Sequence, residues 1–277
     1  MMAPLGLFAG LGRILAVAEN TRREAFRNRA FVVMVILGIG LNVAGWALAK
    51  LAVSTQAPRV VQNFGYFSVS ILTVITAILM GVILLYKELD KKTIFTLIPK
   101  PVMRFEIVLG KFVGLSTLLA GLVLFLGLGW HLAISWHGAL EVAGRSIVPD
   151  LYKSLVLIWL EAVTITGVAL LFSGWTRPFL SGVFTFGYFL MGRLVYMLNE
   201  HLSASKGVLA EPGALRDLVM GVTYLVPDLQ IFNVSRELAL GIDVPGAYLL
   251  AATGYAASFT AVFLVLGIAL FSRRDFI

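Results

Sequence analysis

Lys87-Glu88-Leu89-Asp90-Lys91-Lys92-Thr93-Ile94-Phe95-Thr96-Leu97-Ile98-Pro99-Lys100-Pro101-Val102-Met103-Arg104-Phe105-Glu106, running on into Ile107-Val108-Leu109-Gly110-Lys111, is a polar interruption between two long apolar stretches. One stretch ends near Tyr86 and the next begins near Phe112. Each is about 20 residues long, enough at about 1.5 Å per residue to cross a hydrocarbon layer of about 30 Å. The interruption reads as a short amphipathic helix near Asp90–Ile98, a proline break, and the basic foot of the next membrane helix. Ile94, Phe95, Leu97 and Ile98 form an apolar patch behind Lys91 and Lys92. Pro99 and Pro101 stop the helix and fix the angle at which the chain returns to the bilayer. Arg104 and Lys111 are expected to anchor that foot among lipid headgroups.

The same hydropathy reading extends over the chain. Of its 277 residues, 59% are hydrophobic and 13% charged, and the mean hydropathy is +0.93. A soluble domain carries about 25% charged residues. Six spans are expected: Phe31 to Val53, Tyr66 to Tyr86, Phe112 to Ser135, Leu151 to Trp175, Phe179 to Leu198 and Ala247 to Phe271. Thr176-Arg177-Pro178 joins the fourth and fifth as a tight antiparallel hairpin, because proline ends one helix and can begin another. The segment 199–246 is the one large extramembrane piece expected. Within it Leu215 to Val226 is helix-like and apolar enough to dip back, and Pro227 then breaks it.

Orientation follows from the basic residues. With both termini inside, fourteen of the 22 Lys and Arg fall on the cytoplasmic side, including Arg22, Arg23, Arg27 and Arg29. Segment 199–246 is instead rich in Glu and Asp. The positive-inside rule therefore favours N-in, C-in. The net charge of +7 is explained by lipid and orientation, with no need for nucleic acid.

Residues 5–18 are apolar and end in Ala16-Val17-Ala18, which resembles a signal-peptidase site. No Lys or Arg precedes them and Arg13 interrupts them, unlike a signal peptide with its basic leader and unbroken core. Leu7, Leu11, Ile14 and Ala18 recur at helical spacing, so Leu5 to Arg29 reads as a helix lying in the interface.

Signals for catalysis are poor. Gly110-Lys111 is followed by Phe112 and lacks the earlier glycine and the hydroxyl of a phosphate-binding loop, so the chain is not expected to hydrolyse ATP by itself. There is no cysteine, which excludes disulfides, thiolate metal sites and a cysteine nucleophile. His131, His137 and His201 match no ligand spacing and read as interfacial residues, so no metal site and no cofactor is expected. Two ionisable residues lie inside spans, Glu161 in the fourth and Arg193 in the fifth. These spans are neighbours in sequence, and charges at such depth are costly unless paired or functional, so an intramembrane ion pair is expected, with a substrate or gating contact the second reading. Gly110-x-x-x-Gly114, Gly254-x-x-x-Ser258 and Ala257-x-x-x-Ala261 are spacings that let helices approach closely. Their spacing alone leaves open whether the partner helix is in the same subunit.

Glu88, Thr93, Leu97, Lys100-Pro101-Val102, Arg104 and Leu109-Gly110-Lys111 with Gly114 together resemble the signature of ABC-2 type transporter permeases. More narrowly the chain is similar to the branch that includes the permeases of nitrous oxide reductase (multicopper enzyme) maturation and of gliding motility. Asn20 to Arg29, Pro227-Asp228-Leu229, Phe232-Asn233 and Arg273-Arg274-Asp275-Phe276 carry that likeness. Lys92, Pro99 and Met103 depart from the common family residues.

The resemblance implies a type V-like bundle: an all-α polytopic membrane protein with six transmembrane helices, as one permease domain over 1–277. Residues 1–30 would form a cytoplasmic interfacial helix and 87–106 the coupling-helix loop. In it Glu88, Asp90, Lys91, Lys92, Thr93, Phe95, Leu97, Lys100, Pro101 and Arg104 would meet a separate ABC ATPase subunit. It further implies a second copy of the chain, a bacterial inner-membrane location, and room for a periplasmic accessory protein acting on 199–246. An alternative to transport is a mechanotransmitting scaffold that moves nothing across the bilayer and works on periplasmic partners. An intramembrane enzyme is disfavoured, because no catalytic residues converge.

Overall fold

The protein is described by a computed structural model covering residues 5–52, 57–90, 103–142, 144–203 and 213–272. Helix α1 (Leu5–Phe26) is followed by α2 (Arg29–Leu51), which starts where the Asn28 side chain accepts the Ala30 N–H at 2.9 Å. That cap satisfies one of the donors left open at a helix start, and it marks the break between α1 and α2. Then come α3 (Ala57–Asp90) and α4 (Arg104–Trp136), a two-stranded antiparallel hairpin of β1 (Glu141–Val142) and β2 (Arg145–Ser146), and α5 (Val148–Trp175). Next come α6 (Pro178–Ser203), α7 (Ala214–Leu225), a 3-10 turn (Leu229–Phe232) and α8 (Ser235–Leu240), before α9 (Gly246–Ser272) ends the bundle. Among the described residues α2, α3, α4, α5, α6 and α9 are long and apolar enough to cross a membrane.

These six helices fall on the six expected spans, with the longest extensions at the starts of α3 and α4. Helix α3 begins at Ala57 instead of Tyr66, because its polar first turns find partners: Gln62 Nε2 donates to the Ala139 carbonyl at 3.1 Å. Helix α4 begins at Arg104 instead of Phe112, because Glu106 and Lys111 are buried and bonded within the protein. The α5–α6 corner is as expected: α5 ends at Trp175 and Pro178 opens α6.

Helix α5 is the centre of the bundle. Leu157, Ile158, Ala162, Ile165, Val168 and Ala169 are all fully buried, and α3, α4, α6 and α9 pack around it. A helix apolar all round is the expected occupant of such a position. Helices α2, α6 and α9 carry many exposed large apolar side chains, the surface a lipid-facing helix presents.

The segment after α7 does not simply lie over the end of the bundle. After Val226-Pro227 the axis bends by 46°, and Leu229, Phe232, Val234 and Leu238 are buried against α3, α5 and α6. Irregular backbone among packed helices must have its polar groups satisfied by protein. Three tyrosines do this. Tyr66 Oη donates to the Phe232 carbonyl at 3.1 Å and accepts the Val234 N–H at 3.3 Å. Tyr255 Oη accepts the Asp228 N–H at 2.7 Å, and Tyr248 Oη donates to the Ile231 carbonyl. Gly192 of α6 leaves room for this segment, since a Cβ there would lie 2.7 Å from Leu229 Cγ.

Candidate functional site

The expected coupling loop is flanked by α3 and α4. The backbone of Glu88 and Asp90 continues α3 as its last turn. Lys91, Lys92, Thr93, Phe95, Leu97, Lys100 and Pro101 lie outside the described residues, and so does the expected short helix. The feet of the loop are described, and three contacts bind them to other helices.

First, α1 lies along the start of α4. A Cβ on Gly110 would sit 2.6 Å from Val17 Cβ and 2.9 Å from the Ile14 carbonyl oxygen, and one on Gly114 would sit 2.9 Å from Thr21 Cβ. The small-residue spacing that opens α4 is therefore the seat of α1 within the same chain. Any larger residue would push the two helices apart.

Second, Arg13 of α1 forks onto Glu106 of α4. Nη2 lies 2.6 Å from Oε1, and Nε lies 3.1 and 3.0 Å from the two carboxylate oxygens. Glu106 is 1% exposed, and its Oε2 also accepts the Met103 N–H at 2.9 Å, so one carboxylate caps its own helix and holds a neighbour. Hydrogen bonding to Glu106 holds the Arg13 guanidinium above its ordinary pKa. On the free side of α1, bonds from Arg22 and Arg23 push Glu19 down to about 2, so that triad stays ionised at physiological pH.

Third, Lys111 is 1% exposed and donates from Nζ to the Leu84 carbonyl of α3 at 2.7 Å. This corrects the expectation of a headgroup anchor. With α4 starting at Arg104, Lys111 sits two turns inside the helix, where a buried ammonium must find protein acceptors. Arg104 Nη1 reaches the Phe271 carbonyl at the end of α9, at 3.5 Å. The foot of α4 is thereby tied to α1, α3 and α9.

The second pair of sequence-selected residues also meets. Arg193 Nη2 lies 2.8 Å from the Glu161 carboxylate and 3.3 Å from Ser70 Oγ, and Nη1 lies 3.5 Å from Gln230 Oε1. Glu161 is fully buried, and the Arg193 guanidinium also stands 5.6 Å from the Phe189 ring centre. Four elements, α3, α5, α6 and the 3-10 turn, converge on this charge pair. Among the described residues no group of His, Asp and Glu is arranged to hold a metal ion.

The other small-residue spacings behave differently. Gly254, Ala257, Ser258 and Ala261 are exposed on α9, whereas Gly267 is the residue that brings α9 against Leu171 of α5.

Residues 15–276 match the family model described as ABC-2 family transporter protein. The chain belongs to the ABC-2 transporter family. No curated protein matches it. Family membership makes this chain a membrane transport component, of the permease kind that normally partners with an ABC ATPase, and the six apolar helices agree with a multi-pass membrane protein. Sequence reasoning singled out Glu161, Arg193, Gly110 and Gly114 for this ABC-2 protein. It missed the Arg13–Glu106 fork, for which the only signal was an arginine interrupting an otherwise apolar helix face.

Proposed function

We propose that this chain is the permease subunit of a bacterial inner-membrane ABC-2 transporter, coupling ATP hydrolysis on a separate subunit to movement of a substrate. The observation that carries the reading is the clamped foot of α4. A push delivered to residues 91–102 cannot be absorbed locally, because Arg13–Glu106, the glycine seat, Lys111 and Arg104 pass it to α1, α3 and α9. Binding and closure of an ATPase pair would then bias the bundle between two arrangements. Helix α1 would complete the docking surface, and the exposed small-residue face of α9 offers a place for a second copy.

The test uses the chain reconstituted with its ATPase. Reversing charge at Lys91 and Lys92, or Phe95→Ala, should lower transport-coupled ATP hydrolysis severalfold while membrane insertion is unchanged. Full coupling in these variants would overturn the reading. The tyrosine-held outer segment 226–240 favours a second reading, a mechanotransmitting scaffold acting on periplasmic partners. It is distinguished by normal ATPase stimulation with no solute movement in sealed vesicles.

A further inference from the structure

A cleft of about 780 Å³ opens between the first turns of α3, the middle of α6 and the segment 233–240. Its volume is that of an ordinary small-molecule site. Exposed Arg59 and Arg236 lie on it, and half-buried Arg193 adds a third guanidinium, with Asn63 and Asn233 between them. No carboxylate lines it. Glu161 touches Arg193 but is fully buried and does not line the cleft, and among the described residues no carboxylate pairs with Arg59 or Arg236. The remaining wall is apolar, made chiefly by Phe67, Ile71, Phe189 and Leu240. Along α3 the lining runs from Arg59 to Ile71, about 18 Å at 1.5 Å per residue, so the cleft reaches well into the spanning part of the helix.

Two uncompensated guanidinium groups, a third held by its carboxylate, and an apolar wall descending along a membrane helix are complementary to one kind of molecule. We propose that this cleft binds an anionic amphiphile, its phosphate- or carboxylate-type head between Arg59, Arg236 and Arg193 and its apolar body along Phe67, Ile71 and Phe189. Arginine suits such a head because its planar fork donates two hydrogen bonds to one oxyanion group. The cleft lies at the end of α3 opposite to loop 91–102, so a ligand there and a motor at the loop would act on the two ends of one helix. The inference goes beyond the permease reading, and binding needs no ATPase. A negative result would leave that reading standing.

Native mass spectrometry of the full chain in neutral detergent tests it, with four probes: phosphatidylglycerol, phosphatidylcholine, dodecyl phosphate and inorganic phosphate. Retention of phosphatidylglycerol or dodecyl phosphate, with little phosphatidylcholine or inorganic phosphate, is the expected result. Preference for phosphatidylglycerol identifies a bilayer lipid as the source, and preference for dodecyl phosphate a free amphiphile. Each arginine is expected to contribute about fivefold, so R59Q/R236Q should weaken binding about 25-fold. R59K/R236K, which keep the charge but lose the planar fork, should recover only part of it, and R27Q/R29Q, on residues outside the cleft, should change nothing. Unchanged retention in R59Q/R236Q, or inorganic phosphate bound as tightly as the amphiphiles, would overturn the proposal. Both arginines are exposed, so an unchanged unfolding temperature is expected for the variants.

Discussion

Glu161 and Arg193 are charges that the chain tolerates inside a span only because each answers the other. The carboxylate is fully buried on the central helix α5, and the guanidinium reaches it from α6 at 2.8 Å with Ser70 and Gln230 completing the shell. Removing one member leaves an uncompensated charge, which in buried pairs costs about 3 kcal/mol or more. Glu161→Gln should therefore lower the unfolding temperature clearly, and Glu161→Gln/Arg193→Gln should recover part of the loss. Losses that simply add would show that the two side chains do not couple. The existence of this pair was legible in the sequence, since two lone ionisable residues in adjacent spans have few other partners. Its shell was not. Ser70 and Gln230 are ordinary polar residues far away in sequence, and only the folded topology brings them to Arg193.

At the scale of elements, the association of α1 with α4 is the feature on which the proposed transmission from the loop would depend. The amphipathic spacing of Leu7, Leu11, Ile14 and Ala18 was readable, and so was the small-residue spacing of Gly110 and Gly114. Nothing in either pattern says that one seats the other, because periodicity reports a face and not its partner. Lys111 shows a related limit: a base near a helix start looks the same in sequence whether it reaches lipid or a carbonyl of a neighbouring helix. The docking can be tested directly, because the chain has no cysteine of its own. Thr21 is 2% exposed in the α1–α4 seam, so Thr21→Cys should react slowly with a maleimide. Adding Gly114→Leu places a side chain where only a hydrogen fits, and labelling should accelerate about tenfold or more as α1 lifts away. Equal rates in the two backgrounds would mean that α1 is not held by this seat.

For the whole molecule, the way the helices connect groups at one end the elements whose basic residues make N-in, C-in the expected orientation. The start of α4, the end of α9 and helix α1 meet at one end, through Arg104 to Phe271 and Arg13 to Glu106. The α5–α6 corner joins them there, since Ser173 Oγ donates to the Gly81 carbonyl near the same end of α3 at 3.5 Å. Among the described residues that end carries the basic run of α1 and Arg177, and by sequence Lys91, Lys92 and Lys100 belong to the loop that follows α3. At the opposite end Arg145 and Lys153 pair with Asp150 and Asp243, while among the described residues Arg59 and Arg236 stand without a carboxylate. An excess of Lys and Arg in short loops and near helix ends favours retention of that side in the cytoplasm, whatever acids lie nearby. A single Thr93→Cys should thus resist a membrane-impermeant maleimide in intact spheroplasts and label once the membrane is opened. Ser203→Cys, at the far end of α6, should label in both. The reverse pattern would turn the molecule over, put residues 91–102 out of reach of any cytoplasmic ATPase, and remove the physical basis for coupling through the foot of α4.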